Sequence, residues 1–93
     1  MSLPSVLVIG TQPVTVTPTA LTNSSTLSSG LVVTASLANN APIYVGTSGS
    51  MTTAGSYGLN PGDSVSIAID TPSLVFVAVA IGVSAQEVAY LGS

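Results

Sequence analysis

The fold is decided by residues 42–70, which run P-I-Y-V-G-T-S-G-S-M-T-T-A-G-S-Y-G-L-N-P-G-D-S-V-S-I-A-I-D. A short apolar run opens this stretch, and a loop rich in Gly, Ser and Thr follows it. Pro61 and Gly62 then occupy the two central positions that define a type II β-turn. Apolar and polar residues alternate from residue 64 to residue 70, and the apolar positions are Val65, Ile67 and Ile69. The stretch therefore predicts a strand, a loop, a sharp turn and a second strand.

The same alternation predicts further strands at residues 13–19, 31–38 and 87–91. Their predicted inward side chains are Val14 and Val16, then Leu31, Val33, Ala35 and Leu37, and finally Val88 and Tyr90. Residues 74–81 differ because both faces of that predicted strand are apolar. A strand of a two-layer sandwich has one face in the core and one outside. We therefore expect a second cover on residues 74–81, either an N-terminal arm or a neighbouring subunit.

Six or seven short strands, separated by turn signals roughly every 8–12 residues, are typical of an all-β domain. The predicted fold is a small antiparallel β-sandwich, or a jelly-roll or Ig-like barrel. We predict that residues 1–12 form an N-terminal arm or a first strand and that residues 13–93 form a single β domain. The residues predicted to form its structural turns are Asn40, Gly46, Gly49, Pro61, Gly62, Asp63, Asp70 and Pro72.

The composition excludes several classes of function. The chain of 93 residues has no Lys, Arg, His or Cys, and its formal net charge is −3. Without cations it cannot neutralise phosphates, so we predict no nucleic-acid partner and no binding to anionic membrane surfaces. Without His or Cys it lacks the usual ligands of zinc, copper, haem and iron–sulfur clusters. We predict no cofactor.

The candidate acids and bases are Asp63, Asp70 and Glu87. A strand of about six residues between the two aspartates would separate their backbones by about 20 Å, too far for a carboxylate pair that shares one substrate. Serine nucleophiles would have no His or Lys to activate them. Calcium at Asp63 with Asn60 is the only metal worth considering, but the D-x-D-x-D spacing is missing. We therefore predict no enzyme and no catalytic, cofactor-binding or metal-binding residues.

The motifs P-I-Y-V-G and L-N-P-G-D-S, together with the closing Tyr90-Leu91-Gly92, resemble a pattern in small virion structural proteins of tailed bacteriophages. These are proteins of the head decoration or head fibre type, and the resemblance covers roughly residues 13–92. It implies a non-enzymatic capsid decoration or cement protein, on the outer surface of the phage particle. The implied partners are copies of the chain itself, as a homo-oligomer, and a major capsid or other virion protein.

Two apolar stretches are candidates for contacts with such partners. The candidate interface residues are Leu3, Val6, Leu7, Val8, Ile9, Val75, Val77 and Val79. The alternative function is a host-surface or carbohydrate-binding module of a head or tail fibre. In that case the loop at residues 46–58, with Tyr57, would supply the binding surface.

Overall fold

The computed structural model describes residues 8–23, 25–50 and 56–93, and these residues form an all-β domain. The predicted class is confirmed, although the described strands number eight rather than six or seven. A 3-10 turn at Pro72–Leu74 precedes the seventh strand. The strands are β1 (Val8–Val14), β2 (Thr19–Ala20), β3 (Leu31–Ala35), β4 (Ile43–Gly46), β5 (Tyr57–Leu59), β6 (Ser64–Ile67), β7 (Phe76–Ala78) and β8 (Gln86–Gly92).

The strands form two antiparallel sheets of four strands each. The first, which we call the long sheet, has the order β1-β8-β3-β6, and the second, the short sheet, has the order β2-β7-β4-β5. The pairs β1·β8, β2·β7, β3·β6 and β4·β5 are those of one long hairpin wrapped into two layers. This strand order is that of a jelly roll, the double-sheet solution to the problem of open sheet edges.

The core lies between the two sheets and is built from alternate residues of each strand. Val33, Val88 and Val14 from the long sheet and Ile43 and Val77 from the short sheet are fully buried, at 0% exposure. Alternation puts these side chains on one face because successive residues of a strand point to opposite sides. The predicted inward positions Leu31, Val33, Ala35, Val88 and Tyr90 all belong to this core.

The loop between β2 and β3 closes one end of the core. Its two leucines are buried, and backbone hydrogen bonds join Leu21 to Val75 at 2.9 Å and Leu27 to Asp70. The Leu27 side chain packs so closely on Gly92 that a Cβ at Gly92 would lie 2.8 Å from it. Most residues of this loop are polar in the sequence, and yet it supplies part of the core.

The predicted strand at residues 13–19 is wrong. β1 already begins at Val8 and ends at Val14, and Val16, predicted to point inward, is 48% exposed. The reason is a change of sheet, because the chain leaves the long sheet after Val14 and enters the short sheet at Thr19. The proposed boundary after residue 12 therefore falls inside a strand, and residues 8–12 belong to the domain.

The predicted inward position of Leu37 is also wrong. β3 ends at Ala35, and the amide of Asn39 donates to the carbonyl of Ser36 at 3.1 Å, which closes a turn. Leu37 lies in that turn and is 85% exposed. The apolar alternation simply continues in the sequence beyond the last residue of the strand.

The predicted strand at residues 74–81 is shorter than expected. β7 spans only Phe76–Ala78, and Leu74 ends the 3-10 turn before it. Val77 points into the core at 0% exposure, and Ala78, on the other face of β7, lies opposite Tyr44 and is only 3% exposed. This face of β7 therefore needs no neighbouring subunit to cover it.

The predicted turn at Pro61 and Gly62 is present. The amide of Asp63 donates to the carbonyl of Asn60 at 2.9 Å, and Gly62 has a φ of 89°, which favours glycine. The Asp63 carboxylate also accepts a hydrogen bond from the Asn60 amide at 3.1 Å. Elsewhere, Gly46 ends β4, Gly49 lies in the loop after it, Asp70 follows β6, and Pro72 starts the 3-10 turn.

Candidate interaction surface

An apolar row crosses the outer face of the long sheet. Ile9 lies opposite Leu91, and Leu91 lies opposite Val32 on the other side of β8. Directly opposed residues of antiparallel strands have their Cβ atoms about 4.5–5.5 Å apart, so the three side chains are neighbours. Ile9 is 71% exposed and Leu91 is 45% exposed, whereas Val32 is half-buried. We call these three residues the apolar row.

The apolar row follows from the alternation of its strands. Val8, Val33 and Tyr90 point into the core, which turns their neighbours to the outside. The next outward positions along the sheet are small or polar, and there the hydroxyl of Thr34 donates to that of Ser64 at 3.1 Å. The outward apolar side chains are thus concentrated at the end of the sheet where β8 finishes.

A groove of about 350 Å³ continues the apolar row toward β6. It is lined by Val32 and Leu91, and on its far side by Ser66 and Ala68. Gly30 and Gly92 also line it, at the end of the sheet. The apolar row and the residues that line the groove carry no charged side chain, and together they cross four strands; Asp70 lines an adjoining pocket that shares Gly30 and Ala68 with the groove.

Two of the three carboxylates lie at the opposite end of the long sheet. The amide of Ala35 donates to the carbonyl of Asp63 at 2.9 Å, and the amide of Ser36 donates to that of Glu87 at 3.1 Å, so both flank the last residue of β3. Glu87 precedes Leu91 by four residues, or about 13 Å along the strand. The third, Asp70, accepts a hydrogen bond from the Thr71 hydroxyl at 3.2 Å. The apolar row itself therefore carries no charge.

β1 is an edge strand of the long sheet, and it differs from the other three edges. It has seven residues, V-I-G-T-Q-P-V, whereas β6, β2 and β5 have four, two and three. Natural edge strands are protected by shortness, charge, proline or a bulge. β1 has neither a charge nor a bulge, since its register with β8 is continuous from Val8 to Val14. Among the residues that the structure describes, only Pro13, near the end of β1, protects this edge.

The predicted interface residues are not all exposed, and some of them lie outside the described residues. Leu3, Val6 and Leu7 lie outside the described residues, and Ile9 is exposed, as a contact residue must be. Val8 points into the core and is 6% exposed.

The prediction that Val75, Val77 and Val79 contact another molecule is wrong, because these side chains are only 3%, 0% and 1% exposed. They fill the chain's own core and cannot contact another molecule in this fold. The apolar residues exposed beside them are instead Leu74 and Ile81, at 55% and 93%. Sequence analysis did not single out Leu91 and Val32 as contact residues, although both are apolar residues at outward positions of alternating strands.

The burial of two glutamines was also not predicted from the sequence. Gln12 Nε2 donates to the carbonyl of Ala20 at 3.2 Å, and its Oε1 accepts from the amide of Thr22 at 3.1 Å. Gln86 Oε1 accepts from the amide of Asn40 at 2.8 Å, and its Nε2 donates to Asn40 Oδ1 at 2.9 Å. Both occupy inward positions of alternating strands, and this position in the sequence pattern could have indicated that they are buried. The side-chain amide groups of both glutamines form hydrogen bonds with neighbouring segments of the chain. We therefore interpret their role as structural.

Within the part of the chain that the structure describes, no three His, Cys, Asp or Glu residues lie close enough to hold a metal ion. No helix in the described ranges is long and apolar enough to cross a membrane. Comparison with protein-family models, curated proteins and solved structures gives no match to this chain.

Proposed function

We propose that this chain is a non-enzymatic structural protein of a phage virion, which decorates or cements the head as a homo-oligomer. The observation that carries this proposal is the uncharged surface of the long sheet, where Ile9 is 71% exposed beside Leu91 at 45%. Contiguous exposed apolar side chains are typical of protein–protein contact sites. Partners held by such a surface would be copies of the chain and a major capsid or other virion protein.

The fold and the sequence motifs support different parts of this proposal. Jelly rolls occur in viral capsid domains, and also in lectins and cupins, so the fold supports a virion role by analogy. The motifs P-I-Y-V-G and L-N-P-G-D-S support the phage part through their resemblance. The lack of any cation in the chain argues against partners rich in phosphate, namely nucleic acid and anionic membranes.

The test is to image phage particles with and without this protein. We expect particles that lack it to keep intact heads and to lose regular surface density, which returns when the purified protein is added. Rebinding should change little when ionic strength rises from about 0.1 M to about 1 M, because apolar contacts are not screened by salt. Heads with identical density in the two preparations, or rebinding that is abolished by salt, would contradict the proposal.

The alternative is a host-surface or carbohydrate-binding module of a head or tail fibre. Tyr57 favours it, because this aromatic side chain is 59% exposed on the edge strand β5 of the short sheet. On this hypothesis the chain binds a glycan in an array, and Tyr57→Ala abolishes that binding. Leu74→Ala, which alters another exposed side chain, serves as the control and should bind as the unmodified protein does. Failure to bind any glycan would end this alternative.

A further inference from the structure

We infer that two copies of this chain join edge to edge through β1, in antiparallel orientation about a two-fold axis, so that their long sheets form one sheet of eight strands. The inference deepens the homo-oligomer part of the proposed function and rests on it. It does not depend on the virion part.

The open edge of β1 is suited to pairing with another strand. One side of its backbone faces β8, and the other side has no strand partner among the described residues. Residues 8–12 present a regular row of backbone groups with no charge or bulge to prevent pairing with another chain. The other described edges have at most four residues, and β6 is flanked by Asp63 and Asp70. β1 is thus the edge best suited to accept another strand.

The strand that best fits this edge is β1 of a second copy. In an isologous two-fold contact the same residues are used by both partners, so a strand must complement itself. Antiparallel pairing of β1 with its copy does this, because the outward residues of one copy continue the outer face of the other. Ile9 and Ile9 of the partner subunit then lie on the same outer face of the joined sheet. The inward residues of each β1 strand still point into the core of their own copy.

The distribution of charge also favours antiparallel pairing of the two copies. Every copy carries three carboxylates and no cation, so copies repel each other unless they meet through an uncharged surface. The carboxylate on β8 nearest to β1 is that of Glu87, which lies opposite Pro13, at the far end of β1 from Ile9. Antiparallel pairing sends the two Glu87 side chains to opposite ends of the interface. Parallel pairing would place them at the same end, where like charges destabilise a sheet.

Antiparallel pairing also buries part of the apolar row. Pairing centred on Gly10, the middle residue of the open stretch 8–12, places Ile9 opposite Thr11 of the partner subunit. The two Ile9 side chains are then diagonal neighbours, about 7–8 Å apart between backbones and in reach of each other. The two apolar rows join into one continuous band, and the most exposed member of each row becomes partly covered at the axis.

The first test is sedimentation of the full chain and of two variants over a range of concentrations. Ile9→Lys places a charge on the edge strand at a position that is already exposed, and Ile81→Lys makes the same change on a residue that is 93% exposed and lies outside both sheets. We expect the unmodified chain and Ile81→Lys to dimerise equally. Ile9→Lys should raise the dimer Kd by about tenfold or more, because each copy loses an apolar contact and gains a like charge at the axis.

The second test uses the absence of cysteine from the chain. Ile9→Cys should form a covalent dimer on treatment with a short thiol cross-linker. Pro13→Cys, on the same strand and face, should not, because antiparallel pairing centred on Gly10 separates the two copies of residue 13 by about 20 Å. This test remains decisive if Ile9→Lys does not fold.

Dimerisation of Ile9→Lys as tight as that of the unmodified chain, equal cross-linking of the two cysteine variants, or an unmodified chain that stays monomeric would each overturn the inference. The virion proposal fails separately, if the protein dimerises through β1 but leaves no density on particles.

Discussion

The two sheets of this jelly roll have the same number of strands but are stabilised differently. β1 and β8 of the long sheet pair over seven residues, and β8 also pairs with β3 over five. In the short sheet the pairing of β2 with β7 covers only two residues, and no pairing exceeds three. The long sheet therefore owes more of its order to its backbone hydrogen-bond ladder, and the short sheet owes more to side-chain packing.

The outer faces of the two sheets also differ, in how far their large apolar side chains are exposed. On the short sheet Tyr44 lies over Gly58, where a Cβ would be 3.2 Å from its ring, and Phe76 lies near Gly49 at 3.7 Å. Both aromatic residues are half-buried, so this face is covered by its own chain. The long sheet instead exposes Ile9 and Leu91. This contrast is why the proposed contacts with virion proteins and with a second copy fall on the long sheet, whereas the alternative glycan contact at Tyr57 falls on the short sheet.

The largest effect that we predict concerns the core, where the two sheets should not differ. Leu31 of the long sheet and Leu59 of the short sheet are 2% and 1% exposed. We expect Leu31→Ala and Leu59→Ala each to lower the free energy of unfolding by about 2–5 kcal/mol, because each leaves a cavity between the sheets. Urea unfolding followed by circular dichroism measures both.

Leu37→Ala is the matched control, since it makes the same chemical change on a side chain that is 85% exposed. It should change the free energy of unfolding by less than about 0.5 kcal/mol. If Leu59→Ala were as mild as Leu37→Ala, the short sheet would not be packed on the core, and the comparison would have to be redrawn.

A smaller loss of stability is expected from a substitution at Gly10 of the long sheet, because the ring of Tyr90 packs against this glycine. A Cβ at Gly10 would lie 2.5 Å from Tyr90 Cζ, and Tyr90 is only 7% exposed, so its ring has little room to move. Gly10→Ala should therefore lower the free energy of unfolding by about 1–3 kcal/mol, as overpacked cores do. Thermal and urea unfolding, at one protein concentration, check this value.

Gly49→Ala provides the comparison from the loop beside the short sheet. Its Cβ would meet only Phe76, at an ordinary 3.7 Å, and its φ is not positive. This variant should be neutral or slightly more stable than the unmodified chain, since alanine restricts the unfolded chain. Equal destabilisation by both substitutions would show that the tyrosine contact is not the cause.

The sequence predicted three strands of the long sheet better than β2 and β5 of the short sheet, and the physical reason is strand length. β1 is the exception, because its seven residues were divided between the stretch 1–12 and the predicted strand at 13–19. β3, β6 and β8 have four to seven residues, enough for alternation to be visible. β2 and β5 have two and three, too few for any period to be recognised, and their residues were assigned to other elements. Val16 and Leu37 were misplaced because apolar alternation does not stop where pairing stops.

The interaction surface was predicted only in part, because exposure depends on which strands become neighbours. Ile9 was found because it lies in an apolar stretch near the start of the chain. Val77 was misassigned because a strand that is apolar on both faces does not reveal which face its own chain will cover. Leu91 and Val32 become a surface only once β8 is seen to lie between β1 and β3, and that order follows from the long-range wrapping of the hairpin.

The smallest effect that we predict lies where the chain leaves the long sheet. Asn39 Nδ2 donates to the carbonyl of Glu87 at 2.8 Å, and Asn39 Oδ1 accepts from the amide of Glu87 at 2.8 Å. The side-chain amide thus takes the place of a backbone peptide and extends the pairing of β8 by one residue beyond Ala35. Asn39→Ala removes both bonds, and because the site is exposed to water we expect a loss of only about 0.5–1.5 kcal/mol.

The control is Asn60→Ala, because the hydrogen bonds of Asn60 with Asp63 use its backbone and survive the change. Hydrogen exchange at the Glu87 amide gives the sharper measurement. In Asn39→Ala this amide loses its acceptor and should exchange faster, while the amides of β8 that pair with backbone groups keep their protection. If Glu87 exchanged at the same rate in both variants, the asparagine would not be part of the ladder. The pairing of β3 with β8 beyond Ala35 would then rest on the backbone hydrogen bond from the Ser36 amide to the Glu87 carbonyl.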